Sequence, residues 1–270
     1  MAKKVDYYDT TYGSFAAKVQ EQVRLEAYGE DIGQNSWLTA DEWRDFLGWL
    51  EVAPTSSILE VASGSGGPAL FLARTLGARV VGIDVNEQGI ATANEMARAQ
   101  HLDLLARFQL VDASEGLPFG TNVFDSVICI DSVNHLRDRR LVLREWYRVL
   151  KPGGRILYTD SVVVTGPLSN EEIAARSSVG YFLFVPPGEN ERLIVEAGFL
   201  VLRHEDVTLS TAKVSRGRYD ARARHHDELI RIEGRETFDR TQRFLSVAHT
   251  LASERRLSRM VYLAEKQGEQ

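Results

Sequence analysis

A glycine-rich bend between an apolar strand and a helix constrains the fold of this chain more than any other segment. Residues 58–61 are apolar apart from Glu60, residues 62–67 read Ala-Ser-Gly-Ser-Gly-Gly, and a helical pattern follows from Pro68. Glycine lets the backbone turn sharply and lets a ligand approach without meeting a Cβ. The spacing Gly64-x-Gly66-x-x-Ala69 fits the dinucleotide fingerprint, so the bend alone predicts a nucleotide-like ligand and leaves a nicotinamide-dependent dehydrogenase open.

Predicted strands and helices alternate along the chain from residue 57 onward. We expect five strands in succession, at 57–61, 79–84, 106–111, 124–130 and 154–160. Helices are expected among them, at 67–76, 87–100 and 138–150. This alternation predicts an α/β fold with a Rossmann-like, doubly wound sheet that is covered by helices on both faces.

The segments on either side of this alternating region predict further parts. Thr39 and Glu42 predict a capping box at the start of a helix near residue 40. A strand at 200–209 and a last strand from residue 258 bring the predicted sheet to seven strands. The predicted organisation is an N-terminal helical lid at 1–50, a cofactor-binding core at 51–210, a charged helical insertion at 211–257, and the last strand with the C-terminus at 258–270.

Composition and charge exclude several classes of protein. The hydrophobic fraction of 44% and the charged fraction of 26% are those of an ordinary globular protein, and the net charge of −6 argues against a nucleic-acid surface. Cys129 is the only cysteine and has apolar neighbours, which predicts a buried structural thiol in a reducing compartment. We find no secretory signal pattern and no apolar run long enough to cross a bilayer. We therefore expect a cytoplasmic protein that binds neither nucleic acid nor membrane, and the sequence leaves its oligomeric state open.

Carboxylates stand at the ends of the predicted strands. In a doubly wound sheet the ligand lies beyond the carboxyl ends of the strands, where Glu60, Asp84 and Asp112 follow one another. Asp84 is placed to accept hydrogen bonds from both ribose hydroxyls, and a helix N-cap is the alternative interpretation. Asp112 is placed to meet an adenine amino group, with a turn residue as the alternative.

Five segments in order resemble the motifs of class I S-adenosylmethionine-dependent methyltransferases. They are residues 59–67, 81–84, 112–119, 124–127 and 148–155. The resemblance covers about residues 57–160 and implies S-adenosyl-L-methionine as cofactor, S-adenosyl-L-homocysteine as product and an antiparallel last strand. Ala62 stands where the family most often has glycine, and we expect a modest adjustment there. The cofactor-binding residues that the resemblance implies are Tyr28, Gln34, Glu60, Ala62, Gly64, Gly66, Asp84, Val85, Asp112, Ala113 and Ile130.

Three outer segments, residues 28–31, 131–136 and 257–266, resemble small-amine methyltransferases of the phosphoethanolamine and sarcosine/dimethylglycine types. This resemblance implies that Asp131 and His135 lie beside the acceptor and that an N-terminal tyrosine pairs with the histidine. That tyrosine is one of Tyr7, Tyr8 and Tyr12, and Tyr8 and Tyr12 are our catalytic candidates. A phosphorylated acceptor is not expected, because residues 245–248 offer no cation where those enzymes bind phosphate.

His135 suits proton transfer because the ordinary pKa of histidine lies near physiological pH, although a histidine bonded to backbone at a helix start would look the same. Arg176 and Tyr181 follow the fifth strand, where acceptors dock in this family, and a carboxylate could pair with Arg176. No metal is expected, because the adjacent His225 and His226 would point in different directions on a helix. The sequence therefore predicts methyl transfer to a small molecule, with an amine nitrogen as leading acceptor and a hydroxyl oxygen or a carbon as alternatives.

Overall fold

A seven-stranded sheet forms the centre of the part of the chain that the computed structural model describes, residues 7–268. The strands are β1 (Ser57–Val61), β2 (Arg79–Asp84), β3 (Ala106–Leu110), β4 (Phe124–Cys129), β5 (Leu150–Val164), β6 (Phe199–Asp206) and β7 (Leu257–Lys266). Their spatial order is β3-β2-β1-β4-β5-β7-β6. The first five run parallel to one another, and β7 runs antiparallel to both β5 and β6. The predicted seven-stranded sheet with an antiparallel last strand is confirmed.

Helices cover both faces of this sheet, as predicted. They are α1 (Tyr7–Gly13), α2 (Lys18–Tyr28), α3 (Ala40–Leu50), α4 (Gly67–Leu76), α5 (Glu87–Ala99), α6 (Arg139–Val149), α7 (Asn170–Arg176), α8 (Glu189–Glu196), α9 (Thr208–Arg224), α10 (His226–Glu233) and α11 (Arg235–Ser253). One apolar cluster packs α3, α4 and α5 on the sheet around Trp43 and Leu70, and another packs α6 and α8 on the opposite face around Trp146. None of these helices has the length and apolarity needed to cross a membrane.

The N-terminal helices and the helical insertion pack on each other at the edge of the sheet where the parallel strands end. Helix α9 contacts α2 and α11, α1 contacts α5, and a separate apolar cluster joins Tyr7, Trp37 and Phe244. We call the assembly of α1, α2, α9 and α11 the helical cap. It places segments that are more than two hundred residues apart in sequence on one wall of the same site.

Three local expectations differ from the structure. Strand β5 begins before the predicted residue 154, because Leu150 already pairs with Phe124 across a register shift. Helix α9 begins at Thr208, inside the strand predicted to reach residue 209. The capping box at α3 is half formed: the Thr39 hydroxyl accepts from the Glu42 backbone N–H at 3.2 Å, but the Glu42 carboxylate binds an arginine of β7.

Candidate active site

A cavity of about 950 Å³ lies under the helical cap, at the carboxyl ends of β1, β2 and β4. Its volume is near the upper end of small-molecule sites, so it has room for two ligands side by side. The residues predicted from the sequence that line it are Tyr8, Tyr12, Glu60, Ala62, Gly64, Asp84, Val85, Asp112, Ala113, Ile130, Asp131, His135, Arg176 and Tyr181. The fold therefore brings most of the predicted site together.

Three residues predicted to bind the cofactor do not line this cavity. The Tyr28 hydroxyl donates to the backbone carbonyl of Ser36 at 2.6 Å, and the Gln34 side chain bonds backbone groups of its own loop. A Cβ at Gly66 would collide with the ring of Phe108, so this glycine allows α4 to pack closely on the sheet. Tyr28, Gln34 and Gly66 therefore support the loops around the cavity, and their part in cofactor binding stays a prediction.

Asp84 holds the glycine bend in place. Its two carboxylate oxygens accept from the backbone N–H groups of Gly64 and Asn86, both at 2.8 Å. The N-cap of α5 is Asn86, whose side chain accepts from the Gly89 N–H, so the alternative interpretation of Asp84 as that cap is wrong. Each carboxylate oxygen of Asp84 keeps capacity to accept a further hydrogen bond from a ligand.

Glu60 is a buried carboxylate with an unsatisfied oxygen. It is 2% exposed, it lines the cavity, and its Oε2 has no hydrogen-bond partner among the described residues. Burial raises the pKa of Glu60 to about 8, with the Asp84 charge adding to the rise and a hydrogen bond from the Ala69 backbone opposing it. A positively charged group in the cavity would satisfy this oxygen and stabilise the ionised carboxylate.

Two non-glycine residues adopt left-handed backbone at the ends of adjacent strands. Ala62 has φ 58° after β1, and Asp131 has φ 52° after β4. This conformation costs an alanine roughly 1–2 kcal/mol, and such strain concentrates at functional sites. Although Ala62 stands where the family most often has glycine, the loop keeps its left-handed backbone at this residue, at a cost in stability.

His135 pairs with one tyrosine of α1. The Tyr8 hydroxyl lies 3.2 Å from His135 Nε2, and Nδ1 lies 2.6 Å from the backbone carbonyl of Tyr181. A carbonyl only accepts, so Nδ1 carries the proton and Nε2 accepts from Tyr8. Burial lowers the pKa of His135, with a contribution from the Arg176 charge, while the hydrogen bond to Tyr181 opposes the shift. The imidazole is therefore neutral at pH 7, with Nε2 bound to a proton donor.

The other two tyrosines of α1 have different environments. Tyr12 stacks on Tyr8 with ring centroids 6.0 Å apart, and a Cβ at Gly64 would overlap its hydroxyl, so it covers the glycine bend. Tyr7 is 6% exposed and packs in the helical cap. Of the three tyrosines that the sequence left open, Tyr8 is the one hydrogen-bonded to His135.

Arg176 is a buried cation that forms no ion pair among the described residues, although the charge of Asp131 acts on it from a distance. It is 1% exposed, it lines the cavity, and its Nε and Nη1 have no hydrogen-bond partner within residues 7–268. Its guanidinium carbon lies 4.7 Å from the ring centroid of Phe244, 5.1 Å from that of Phe182 and 5.8 Å from that of Trp37. Burial lowers the pKa of Arg176 to about 10, so it remains charged at neutral pH. The sequence analysis missed Trp37 and Phe244, because only the fold brings them to Arg176.

Comparison with known proteins identifies the family. A family model described as a methyltransferase domain matches residues 59–158. The 27-O-demethylrifamycin SV methyltransferase of Amycolatopsis mediterranei is 32% identical over 198 residues, which are 69% of this chain and 72% of that protein. The chain belongs to the S-adenosylmethionine-dependent methyltransferases. The cofactor of the family is S-adenosylmethionine, and the nicotinamide-dependent alternative is excluded.

Two further proteins are similar to this methyltransferase over different lengths. The glycine/sarcosine/dimethylglycine N-methyltransferase of Actinopolyspora halophila is 36% identical over 143 residues, which are 53% of this chain and only 24% of that protein. The structure of Haemonchus contortus phosphoethanolamine N-methyltransferase 2, solved with phosphomonomethylethanolamine and S-adenosylhomocysteine, has a TM-score of 0.81 at 20% identity. That likeness covers 99% of this chain and 62% of the solved one, and it shows that the fold is shared.

Proposed function

We propose that this methyltransferase transfers a methyl group to the amine nitrogen of a small molecule that also carries a carboxylate. The proposal depends on one arrangement: the hydrogen-bonded Tyr8–His135 pair lies in the same cavity as the unpaired Arg176. Phe182 joins them, since its ring centroid is 4.6 Å from that of His135 and 5.1 Å from the Arg176 guanidinium. A proton acceptor and an anion-binding group are thus close together.

The residues at the other end of the cavity fit S-adenosylmethionine. Glu60 would accept its ammonium group through the oxygen that lacks a partner, and Asp84 would accept from the ribose hydroxyls. Val85 and Leu110, which are 68% and 57% exposed, would cover the adenine with apolar surface. Leu110 is a residue that the sequence analysis missed. When bound, the cofactor supplies a sulfonium methyl group that is already activated toward a nucleophile.

The protein's part in the reaction is to orient the acceptor, exclude water and take one proton. An amine that binds as its ammonium ion must lose a proton before its nitrogen can attack the methyl group. We propose that this proton passes to the Tyr8 oxygen while the Tyr8 proton passes to His135 Nε2. The resulting imidazolium keeps its Nδ1–H bond to the Tyr181 carbonyl. Burial and the charges of Tyr7 and Asp84 raise the pKa of Tyr8, which keeps its hydroxyl protonated and able to relay.

A carboxylate is the anion that suits Arg176 best. A buried unpaired charge is costly unless a ligand compensates it, and the planar guanidinium matches a carboxylate in shape. A phosphate dianion would need further cations. Arg137 and Arg218 also line the cavity, but Arg218 donates to Asn35 and the Arg137 guanidinium lies 5.5 Å from the centroid of the Tyr181 ring. Residues 245–248 include Leu245 and Ala248, which are buried in the cap. The absence of a cation among these four residues supports the expectation that the acceptor is not phosphorylated.

A hydroxyl oxygen is the second candidate acceptor, because the Tyr8–His135 pair would take a proton from O–H in the same way. The Amycolatopsis relative, whose name refers to an O-demethylated substrate, favours this alternative. The N-methyltransferase of Actinopolyspora, which is 36% identical, favours nitrogen. Either heteroatom can bring the proton that the Tyr8–His135 pair would accept.

The surface charges favour a small molecule over nucleic acid as partner, and this too is a proposal. Half of the ten arginines of the helical insertion are paired with carboxylates of the described residues, among them Arg216 with Asp220, Arg222 with Glu233, and Arg224 with Glu26. A cytoplasmic location remains a proposal supported by the buried free thiol of Cys129.

Two measurements test the proposed function. Calorimetric titration with S-adenosylmethionine, S-adenosylhomocysteine and NAD⁺ should show binding of the first two alone. Methyl transfer from labelled cofactor is then measured on matched sets of three compounds: an amino acid, the same amine without its carboxylate, and the corresponding hydroxy acid. We expect the methylated product among the amino acids, identified by mass spectrometry. Product from hydroxy acids alone would transfer the assignment to oxygen, and product from amines without carboxylate would remove the role of Arg176.

A further inference from the structure

Arg259 lies behind the cavity and connects β7 with α3 and α9. We call the part of the cavity around Tyr8, His135 and Arg176 the acceptor end. Arg259 of β7 is fully buried, and its Nε donates to Asp131 Oδ1 at 2.6 Å. Its Nη1 donates to Glu42 of α3 at 2.7 Å and to the Ser210 hydroxyl of α9 at 2.8 Å. Its backbone N–H donates to the Thr208 hydroxyl at 3.0 Å. Arg259 does not line the cavity, and the function described so far does not use it.

The Asp131 carboxylate is committed to this arrangement. Besides Arg259, Oδ1 accepts from the Thr159 hydroxyl at 2.8 Å, and Oδ2 accepts from the backbone N–H of Trp37 at 2.8 Å. The Asp131 backbone is left-handed, with φ 52°, and its N–H donates to the same Thr159 hydroxyl. The carboxylate therefore has its charge compensated from behind the site and its oxygens directed away from a free role as base.

Trp37 extends this connection to the acceptor. Its ring stacks on Phe244 with centroids 6.0 Å apart and planes 17° from parallel, and the same two rings flank the Arg176 guanidinium. The series of contacts thus runs from Arg259 through Asp131 and the Trp37 amide to the aromatic wall around Arg176. Each contact in it is a hydrogen bond or a stacked ring between buried groups.

We propose that Arg259 is a positioning residue of the acceptor end: it takes up the charge of Asp131 and thereby fixes Trp37 against Phe244 and Arg176. Asp131 is then a structural link, and Arg176 is left as the uncompensated charge that faces the acceptor. The statement that Arg176 faces the acceptor rests on the proposed function. The placement of Trp37 does not rest on it, so that placement can be tested without an acceptor.

Hydrogen exchange of the Trp37 backbone amide in the protein loaded with S-adenosylhomocysteine tests the placement. Arg259→Met should accelerate this exchange about tenfold or more, whereas Arg259→Lys should restore part of the protection. Glu42→Gln is the matched control, because it removes the other carboxylate on Arg259 and leaves the Asp131 bond to Trp37. The affinity for S-adenosylhomocysteine should stay within about threefold in all three variants, because the cofactor end is built from other strands.

A purely structural arginine would behave differently. Unchanged Trp37 exchange in Arg259→Met would overturn the proposal, and so would a loss of cofactor affinity as large as the change in exchange. If Arg259→Met does not fold, Asp131→Asn decides the question, since Arg259 keeps Glu42 while the ion pair with residue 131 is lost and its link to Trp37 is weakened. Unaltered exchange of Trp37 in that variant overturns the proposal as well. Should methyl transfer be absent with every acceptor while Trp37 responds as expected, the proposed function fails and the positioning role stands.

Discussion

At the scale of single residues, the proposed chemistry depends on the state of one imidazole. His135→Ala removes the proposed terminal proton acceptor and should lower kcat by about 10²–10⁴-fold, and Tyr8→Phe should lower it similarly. The lowered pKa of His135 means that the acid limb of kcat against pH lies below the ordinary histidine value of 6.5, with activity rising as the base loses its proton. Steady-state kinetics from pH 5 to pH 8 measure both effects.

The control for this prediction is His204→Ala, since His204 lies on the edge strand β6 away from the cavity. It should leave kcat and its pH profile unchanged. Equal losses of kcat and of cofactor affinity in His135→Ala would identify a histidine that only supports the fold.

Arg176 illustrates a residue whose function costs stability. Replacing it by methionine removes a buried charge that forms no ion pair among the described residues, which favours the folded state, and forfeits cation–π contacts worth roughly 0.5–2 kcal/mol. We expect Arg176→Met to unfold no more easily than the parent, by chemical denaturation. Its KM for a carboxylate-bearing acceptor should rise by about 10–100-fold, the value of a charged hydrogen bond. A clear loss of stability with KM unchanged would show that Arg176 only holds its three aromatic neighbours together.

At the scale of elements, the role of the glycine bend between β1 and α4 in cofactor binding can be tested by comparing Gly64 with Gly153, a second glycine with left-handed backbone. Gly64 has φ 52° and Gly153 has φ 77°, so an alanine strains either position by roughly 1–2 kcal/mol. A Cβ at Gly64 would overlap the Tyr12 hydroxyl, whereas one at Gly153 meets no atom within 4 Å. Calorimetry should therefore find at least about a tenfold loss of affinity for S-adenosylhomocysteine in Gly64→Ala alone. Similar losses in both variants would assign the effect to general destabilisation.

The elements also show what a sequence can and cannot predict. The first two strands match their predicted bounds, because each is a short apolar run with a carboxylate at its last residue or next to it. The same strand-end pattern pointed to Glu60, Asp84 and Asp112, and all three line the cavity. The bounds of β5 and α9 were missed, since a register shift and a helix start depend on neighbouring strands and carry little local signal.

The contacts around the proposed acceptor could not be predicted from local sequence patterns, because they too depend on how distant elements pack. Trp37 and Phe244 meet Arg176 only because the N-terminal and C-terminal helices pack together in the cap. Arg259 did leave a signal: an arginine within the apolar strand β7 predicts a buried counter-ion. The identity of that counter-ion, Asp131, required the fold.

At the scale of the whole molecule, Glu60 couples stability, pH and cofactor binding. Its pKa is about 8 in the folded protein against an ordinary value of 4.5, so between these values the folded state binds a proton that the unfolded state lacks. The contribution of Glu60 to the free energy of unfolding is therefore fully present below about pH 4.5 and is lost as the pH rises through 8. Denaturation of the ligand-free protein should show this decline between pH 5 and pH 8, and Glu60→Gln should flatten it.

Cofactor binding should reverse this preference for the protonated carboxyl group. An ammonium group beside Glu60 Oε2 stabilises the carboxylate and lowers its pKa, so binding S-adenosylhomocysteine at pH 7 should release close to one proton. Calorimetric titrations in buffers of different ionisation enthalpy measure that proton directly. Glu60→Gln should bind more weakly and release none. Binding of the parent protein without proton release would show that Glu60 does not receive the ammonium group, and the cofactor would then have to lie in the cavity with its amino group directed elsewhere.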